Sequence, residues 1–506
     1  MGSVQMLELT KTTNELENIL NVVLAFNSIN DKTKLLNIIL TNMMELTDSD
    51  AGTLYLKEDN YLHFKIMHNK SLKMYEVFNS EAPLLPPIEL NPNSIENISA
   101  YSAINNEVVL IDDVYTDKRF NFCGTKKYDA LTGYNTKSMF VFPICSERDD
   151  GDDILGVLQL INPIDKNTNE ITTYNDYPNK SLVIALAKIA ANTLSGLAHV
   201  SELQAFLRSF AAALTHAVDE RSRYNGRHTQ NVAIYCEQFT QYLSSRFPEK
   251  HKYHFNSFHA ESLTLAALLH DIGKIVTPLA IMDKSTRLDN KIETILNRFQ
   301  VKWLRLRVNY LEQKISETEY NTAMEDSRNM LKFIEEVNVA GFLSDEKIEM
   351  VEKLRDVEYE DGFGKTVRLF DPRDIDSLSI RRGTLTAQER TIMEDHVITT
   401  KKMLDKVPFR KYYSNVPHWA GAHHEFLDGT GYPNRISGDE IPIEACIITI
   451  MDIFDALIDN NRPYKKGVPI DRALEILQEM ANEGKLHKEL LDLFIESKIW
   501  ESVERF

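Results

Sequence analysis

From Leu182 to about Asp219 the chain reads as one long helix with no proline in it. This stretch constrains the fold more than any other, because the residues on its two sides follow different periods. Before it, apolar residues come in short, strand-like runs; after it, they recur at helical spacing. Within it, Val200, Leu203, Leu207, Phe210 and Leu214 lie 3, 4, 3 and 4 residues apart, a heptad stripe. Two readings of that stripe are open: a face turned to the chain's own core, or a parallel dimer stalk joining two domains.

Residues 15–47 carry helical periodicity, with Ile19, Val22, Val23 and Phe26, then Leu35, Leu36, Ile39 and Leu40. The runs AGTLYLKEDNYLHFKIMHN, EVVLIDDV, KSMFVFPIC and ILGVLQLINP follow. They are rich in β-branched and aromatic residues and bounded by Asn, Asp, Gly and Pro. The expected order is an α+β domain over 15–180, a linker helix over 181–219 and an all-α domain over 220–506. Inside the last, 288–380 reads as a helical insertion. KIETILNRFQVKWLRLRVNYLEQKI places Ile292, Ile295, Phe299, Trp303, Leu306 and Tyr310 on one side, as in a helical hairpin. The polar DVEYEDGFGKTVRLFDPRDIDS after it suits a loop or small ribbon.

The formal charge of −18 argues against non-specific nucleic-acid binding, which needs a basic surface. Any field that attracts phosphate must be local. Cys123, Cys145, Cys236 and Cys446 form no CxxC pair and suit free thiols in a reducing cytoplasm. MGSVQMLELTKTTNELEN has no signal-peptide pattern, and no run of eighteen apolar residues occurs. The expectation is a cytoplasmic protein without a membrane span.

The second half puts polar groups where polarity is costly. SLTLAALLHDIGKIVTP is an apolar helix that carries His270 and Asp271. CIITIMDIFDALI is apolar nearly all round, yet Asp452 and Asp455 interrupt it. A buried carboxylate must be paired, hydrogen-bonded or metal-bound. With His228, His396, His423 and His424 there are five histidines, joined by Asp271 and Asp452 as the two candidate acids, and no thiolate. Such donors suit Fe, Mn, Zn or Ni, and more than one ion when a carboxylate bridges; Asp271 is the bridge candidate. Lys274 lies one turn beyond His270, at i+4, and so projects on the same face. Arg462, Lys465 and Lys466 form a local cluster that could clamp phosphate. Adjacent helical side chains diverge by about 100°. His423 and His424 therefore reach one site only near a helix end. LDGTGYP would supply the turn, with Gly429 and Gly431 permitting unusual φ and Pro433 fixing the exit.

HDIGK, HHEFLDGTGYP and MDIFDALIDNNRPYKKG, in this order, resemble the HD-GYP family of HD-domain metallophosphohydrolases. The likeness covers roughly 205–290 and 380–485. It implies an all-helical domain holding two divalent ions, iron or manganese first and zinc or nickel next, that hydrolyses cyclic di-GMP to pGpG or GMP. The metal ligands it implies are His228, His270, Asp271, His396, His423, His424 and Asp452, with Asp271 bridging and catalytic. Lys274 is implied as a further catalytic group, holding phosphate together with Arg462 and Lys465. Gly431, Tyr432 and Pro433 form the naming loop, linked in the family to substrate access and to diguanylate cyclase partners. Tyr224 stands where some members carry a Glu for a third metal, so two ions are expected. SAYSAINNEVVLIDDVYTDKRFN, DALTGYNTKSMFVFPI and ILGVLQLINP resemble GAF sensor domains. A cyclic nucleotide, another small ligand and a ligand-free dimerisation role all stay open there, and a homodimer is expected. The leading expectation is a GAF-regulated cyclic di-GMP phosphodiesterase. The alternatives are a non-catalytic cyclic-dinucleotide receptor and a hydrolase of another cyclic dinucleotide or phosphoester.

Overall fold

The computed structural model describes residues 20–26, 31–78, 85–92, 97–146, 153–176, 180–221, 227–459 and 467–503. The chain divides into two compact units, Met1–Ala205 and Phe206–Phe506.

In the first unit, α1 (Lys32–Leu46) starts at Asp31, whose carboxylate accepts the Lys34 amide at 2.7 Å. An antiparallel sheet follows, built from β1 (Ser49–Glu58), β2 (Tyr61–Asn69), β3 (Met74–Val77), β4 (Ile88–Glu89), β5 (Val109–Ile111), β6 (Met139–Ser146) and β7 (Asp153–Pro163). The spatial order is β3-β2-β1-β7-β6-β5, with β4 beside β2. The central strands β1, β6 and β7 read as continuous apolar runs because both faces are covered. One face carries Leu54, Ile66, Phe140, Phe142 and Leu160 and packs on α1 and the start of the long helix. The other carries Tyr55, Val141 and Val157 and packs on α2 (Ile98–Asn105) and on Phe122, just before α3 (Cys123–Thr132). This is the α+β architecture that the short strand runs call for.

The long helix is α4 (Lys180–Asp219). Leu186 and Ala190 join the core of the first unit, and Ala211 and Val218 join that of the second. Val200, Leu203, Phe210 and Leu214 are exposed. The heptad stripe is therefore not a face turned to the chain's own core, and that reading of it is corrected. By length and composition alone α4 is apolar enough to cross a membrane, the one such helix among the described residues.

The second unit is helical. α5 (His228–Arg246), α6 (Ser257–Leu269) and α13 (Ile443–Ile458) form its centre, and Phe239, Leu265, Ile450 and Phe454 fill the space between them. Between α6 and α13 come α7 (Lys291–Leu311), α8 (Glu317–Val339), α9 (Asp345–Lys353), the ribbon β8 (Glu358–Glu360) with β9 (Thr366–Arg368), α10 (Pro372–Leu378), α11 (Ala387–Leu404) and α12 (Val416–Ala420). The hairpin α7/α8 has its own core of Ile295, Phe299, Ile334, Val337 and Phe370. At its neck Arg287 is fully buried and donates to the carbonyls of Val337 (2.8 Å), Ala340 and Ile380 (2.9 and 3.0 Å). α14 (Ile470–Asn482) and α15 (Lys488–Ser497) close the unit, and Phe494 packs on Phe454 at 5.1 Å between ring centroids.

Candidate metal centre

α6 ends at Leu269, with His270 as its C-cap, and the chain continues as a 3-10 turn over Ile272–Val276. Lys274 therefore does not sit one α-turn above His270. It lies on the 3-10 turn and its Nζ contacts Asp271 Oδ2 at 2.6 Å. His228 opens α5, His396 lies in α11, and Asp452 lies in α13. His423 and His424 follow α12 in a turn, and this lets two adjacent rings face the same space, with centroids 4.1 Å apart.

Three histidines are set by one device. Nδ1 of His270, His396 and His423 bonds the carbonyl three residues earlier, that of Ala267 (2.6 Å), Met393 (2.5 Å) and Ala420 (2.6 Å). A carbonyl only accepts, so Nδ1 carries the proton and Nε2 keeps its lone pair. All three Nε2 atoms are buried without a hydrogen-bond partner, as is Asp271 Oδ1.

Asp271 divides its two oxygens. Oδ2 faces His270 Nε2 at 3.2 Å and His228 Nε2 at 3.9 Å, while Oδ1 faces His396 Nε2 at 3.1 Å and His423 Nε2 at 4.0 Å. Asp452 Oδ1 is 2.9 Å from His228 Nε2, and its Oδ2 is 3.8 Å from His424 Nδ1. Three donor groups each lie within 4.8 Å: His228, His270 and Asp452; His270, Asp271 and His423; His396, His423 and His424. Burial pushes the His424 imidazole down to about 3 and His423 well below its usual range, so both are neutral bases at neutral pH. Asp271 and Asp452 resist burial and stay well below the usual carboxylate range, Asp271 held there by Lys274 and Asp452 by His228. Against burial, Asp452 and Asp455 raise His228 to about 10. Ionised carboxylates, the neutral imidazoles of His423 and His424 and four orphaned buried donor atoms fit divalent cations, two of which could share Asp271.

The supporting residues were harder to foresee. Asp455 accepts from His228 Nδ1 at 2.7 Å and from Asn231 at 3.0 Å, so it orients a ligand. A buried acid in an apolar helix was the only sequence sign of it. Thr400 in α11 donates to the His270 carbonyl and accepts from the Gly273 amide, both at 2.9 Å. Nothing in the local sequence marks that threonine. Gly273 lies so close to α11 that a Cβ would fall 2.0 Å from the His396 carbonyl oxygen.

The HHE stretch and the turn after it are bound together. Glu425 is buried, and its Oε1 accepts the Asn434 amide at 2.7 Å. The Tyr432 amide donates to the His424 carbonyl at 3.0 Å, and the Tyr432 ring lies 4.7 Å from that of His424. Gly429 has φ +75°, as the turn requires. Gly431 is needed for another reason: its Cβ would fall 2.4–2.5 Å from the backbone of residues 424–426. The expectation of an unusual φ there is corrected to one of close backbone approach. Arg462, Lys465, Lys466 and Tyr224 lie outside the described residues.

The first unit holds a cavity of about 440 Å³ above the sheet, lined by Tyr55, Phe64, Phe122, Tyr128, Met139 and Gln159 among others. Among the described residues no Lys, Arg, Asp or Glu lines it. Gln159 Oε1 accepts from Tyr55 at 3.0 Å, while its Nε2 meets the Met139 sulfur at 3.3 Å.

A covered antiparallel sheet followed by a helical unit with this histidine–aspartate cluster defines a two-domain protein of the GAF-plus-HD class. The GAF domain model matches residues 31–194 and the HD domain model residues 362–490. The HD match includes His396, His423, His424 and Asp452; His228, His270 and Asp271 precede it, across the insertion. Three relatives are similar to the chain. The 3′3′-cGAMP-specific phosphodiesterase 3 of Vibrio cholerae is 46% identical over 98 residues, 19% of this chain and 20% of that protein. The 3′3′-cGAMP-specific phosphodiesterase 2 of the same organism is 24% identical over 346 residues, 68% and 42% of the two chains. The cyclic di-GMP phosphodiesterase response regulator RpfG of Xanthomonas campestris is 37% identical over 111 residues, 22% and 28% of the two chains. The chain thus spans less than half the length of each of these relatives.

Proposed function

We propose that this protein is a metal-dependent phosphodiesterase that hydrolyses cyclic di-GMP to pGpG or GMP, under control of its GAF domain. The observation that carries the reading is the divided Asp271 carboxylate, with histidine lone pairs gathered at each oxygen. His228, His270, His396, His423, His424, Asp271 and Asp452 would hold two ions, iron or manganese in first place. When bound, such ions polarise a phosphoryl group and lower the pKa of water. The chain's own residues do the rest. Lys274 places a cation beside Asp271, where a phosphate oxygen can take its third contact. Tyr432 walls one side of His424 and shields it from bulk water. Arg462 and Lys465 are assigned to the remaining phosphate charge. The sensor would occupy 15–180, the linker 181–219 and the hydrolase 220–506, in a cytoplasmic homodimer.

A second substrate, 3′3′-cGAMP, is favoured by the names of the two Vibrio cholerae relatives. One experiment separates the readings. Protein purified anaerobically with Mn²⁺ or Fe²⁺ is given each dinucleotide in parallel, and products are resolved by chromatography. Linear product from cyclic di-GMP at the higher kcat/KM is expected. A preference for cGAMP moves the assignment to the second substrate. Tight binding of either with no product over long incubation makes the protein a receptor.

A further inference from the structure

We infer that Arg221 is a positioning residue for the HD segment: it holds the 3-10 turn Ile272–Val276, and with it Lys274, from the end of the long helix α4. Arg221 stands two residues beyond the last residue of α4. Its guanidinium donates through Nη1 to the carbonyls of Lys274 (3.3 Å) and Ile275, and through Nη2 to that of Thr277 (3.4 Å). These carbonyls lie at the end of a helical turn, where a cation is favoured, and that of Lys274 also accepts the Thr277 amide at 3.0 Å. A planar fork of donors can serve neighbouring carbonyls at once in a fixed geometry.

The far side of the same turn is already fixed. The Gly273 amide is held by Thr400, and the Gly273 backbone lies too close to α11 for any side chain. The turn is therefore clamped between α11, which carries His396, and Arg221. Lys274 is the residue whose two ends report that clamp. Its carbonyl is bonded by Arg221 and its ammonium touches Asp271. Earlier on α4, Arg208 pairs with Glu237 of α5 at 3.0 Å and with Glu261 of α6. The helices that bear His228 and His270 thus share one ion-paired base with α4, and a shift of α4 would reach Lys274 through Arg221.

The test uses the full chain, Arg221→Gln and Arg221→Lys. Hydrogen exchange comes first and does not depend on activity. Loss of a charged anchor should speed exchange of the 272–277 amides about tenfold in Arg221→Gln. Metal content and exchange in α5 and α6 should stay unchanged, and Arg221→Lys should fall between. The kinetic arm rests on the phosphodiesterase reading. With cyclic di-GMP, Arg221→Gln should raise KM about tenfold, and it should add nothing in a Lys274→Gln background. Unchanged 272–277 exchange, loosening spread over the whole second unit, or full additivity with Lys274→Gln would each overturn the inference. A parent protein that turns over no cyclic dinucleotide defeats the phosphodiesterase reading alone, and the exchange arm then decides.

Discussion

Four of the proposed histidine ligands are set by a group outside the donor cluster. His228 is aimed by Asp455, which also holds Asn231. Replacing Asp455 by Ala leaves a buried imidazole Nδ1 without its partner. Metal affinity should drop about 10–100-fold while the helix stays folded, as read by titration of the apo protein with Mn²⁺. An unchanged affinity would show that His228 is oriented by packing alone. Asp271 is the stronger test of the centre. Asp271→Asn keeps size but turns one acceptor oxygen into a donor nitrogen and removes the charge both histidine sets face. It should halve metal content or abolish it, with elemental analysis as the measure.

The turn after HHE and the neck of the insertion are where backbone geometry decides. At Gly431 even a methyl group meets backbone on the 424–426 side. Gly431→Ala should therefore cost roughly 1–3 kcal/mol of overpacking and displace Tyr432 from His424. A thermal melt and a turnover assay would both fall; two unchanged values would mean that the turn yields freely. The neck of the α7/α8 hairpin depends on one buried cation without a carboxylate partner. Arg287→Met leaves carbonyls of Val337, Ala340 and Ile380 unsatisfied. The loss should be about 3 kcal/mol in a denaturant midpoint. Because the hairpin has a separate core, the residues around His270 should keep their exchange protection.

At the scale of the molecule, an exposed apolar stripe and a cavity without described charged lining residues offer surfaces that can be tested. Val200, Leu203, Phe210 and Leu214 keep the heptad spacing and are exposed among the described residues. A second copy can bury such a stripe. Leu203→Glu with Phe210→Glu should shift the species seen by light scattering from dimer to monomer; a parent protein that is already monomeric removes the stalk. The cavity offers no cation to a cyclic nucleotide phosphate among its lining residues. Millimolar cyclic AMP or cyclic GMP should leave the melting temperature of the first unit unchanged. A rise that Gln159→Leu abolishes would overturn that reading.

The sequence by itself determined the fold class and the chemistry of the donors. Strand runs, helical periods and an unbroken helix are local patterns, and a buried carboxylate in an apolar run can be recognised wherever it lies. Adjacent histidines before a glycine turn also announced a helix end. What only the tertiary structure decided was which groups meet. That Asp271 parts its oxygens between two histidine sets, that Thr400 and Arg221 clamp the turn bearing Lys274, and that Gly431 is a matter of contact rather than of φ are all relations between distant segments. Their cause is packing of helices against one another. Side-chain period reveals which face of a helix is buried, but not which residue on another helix that face will touch.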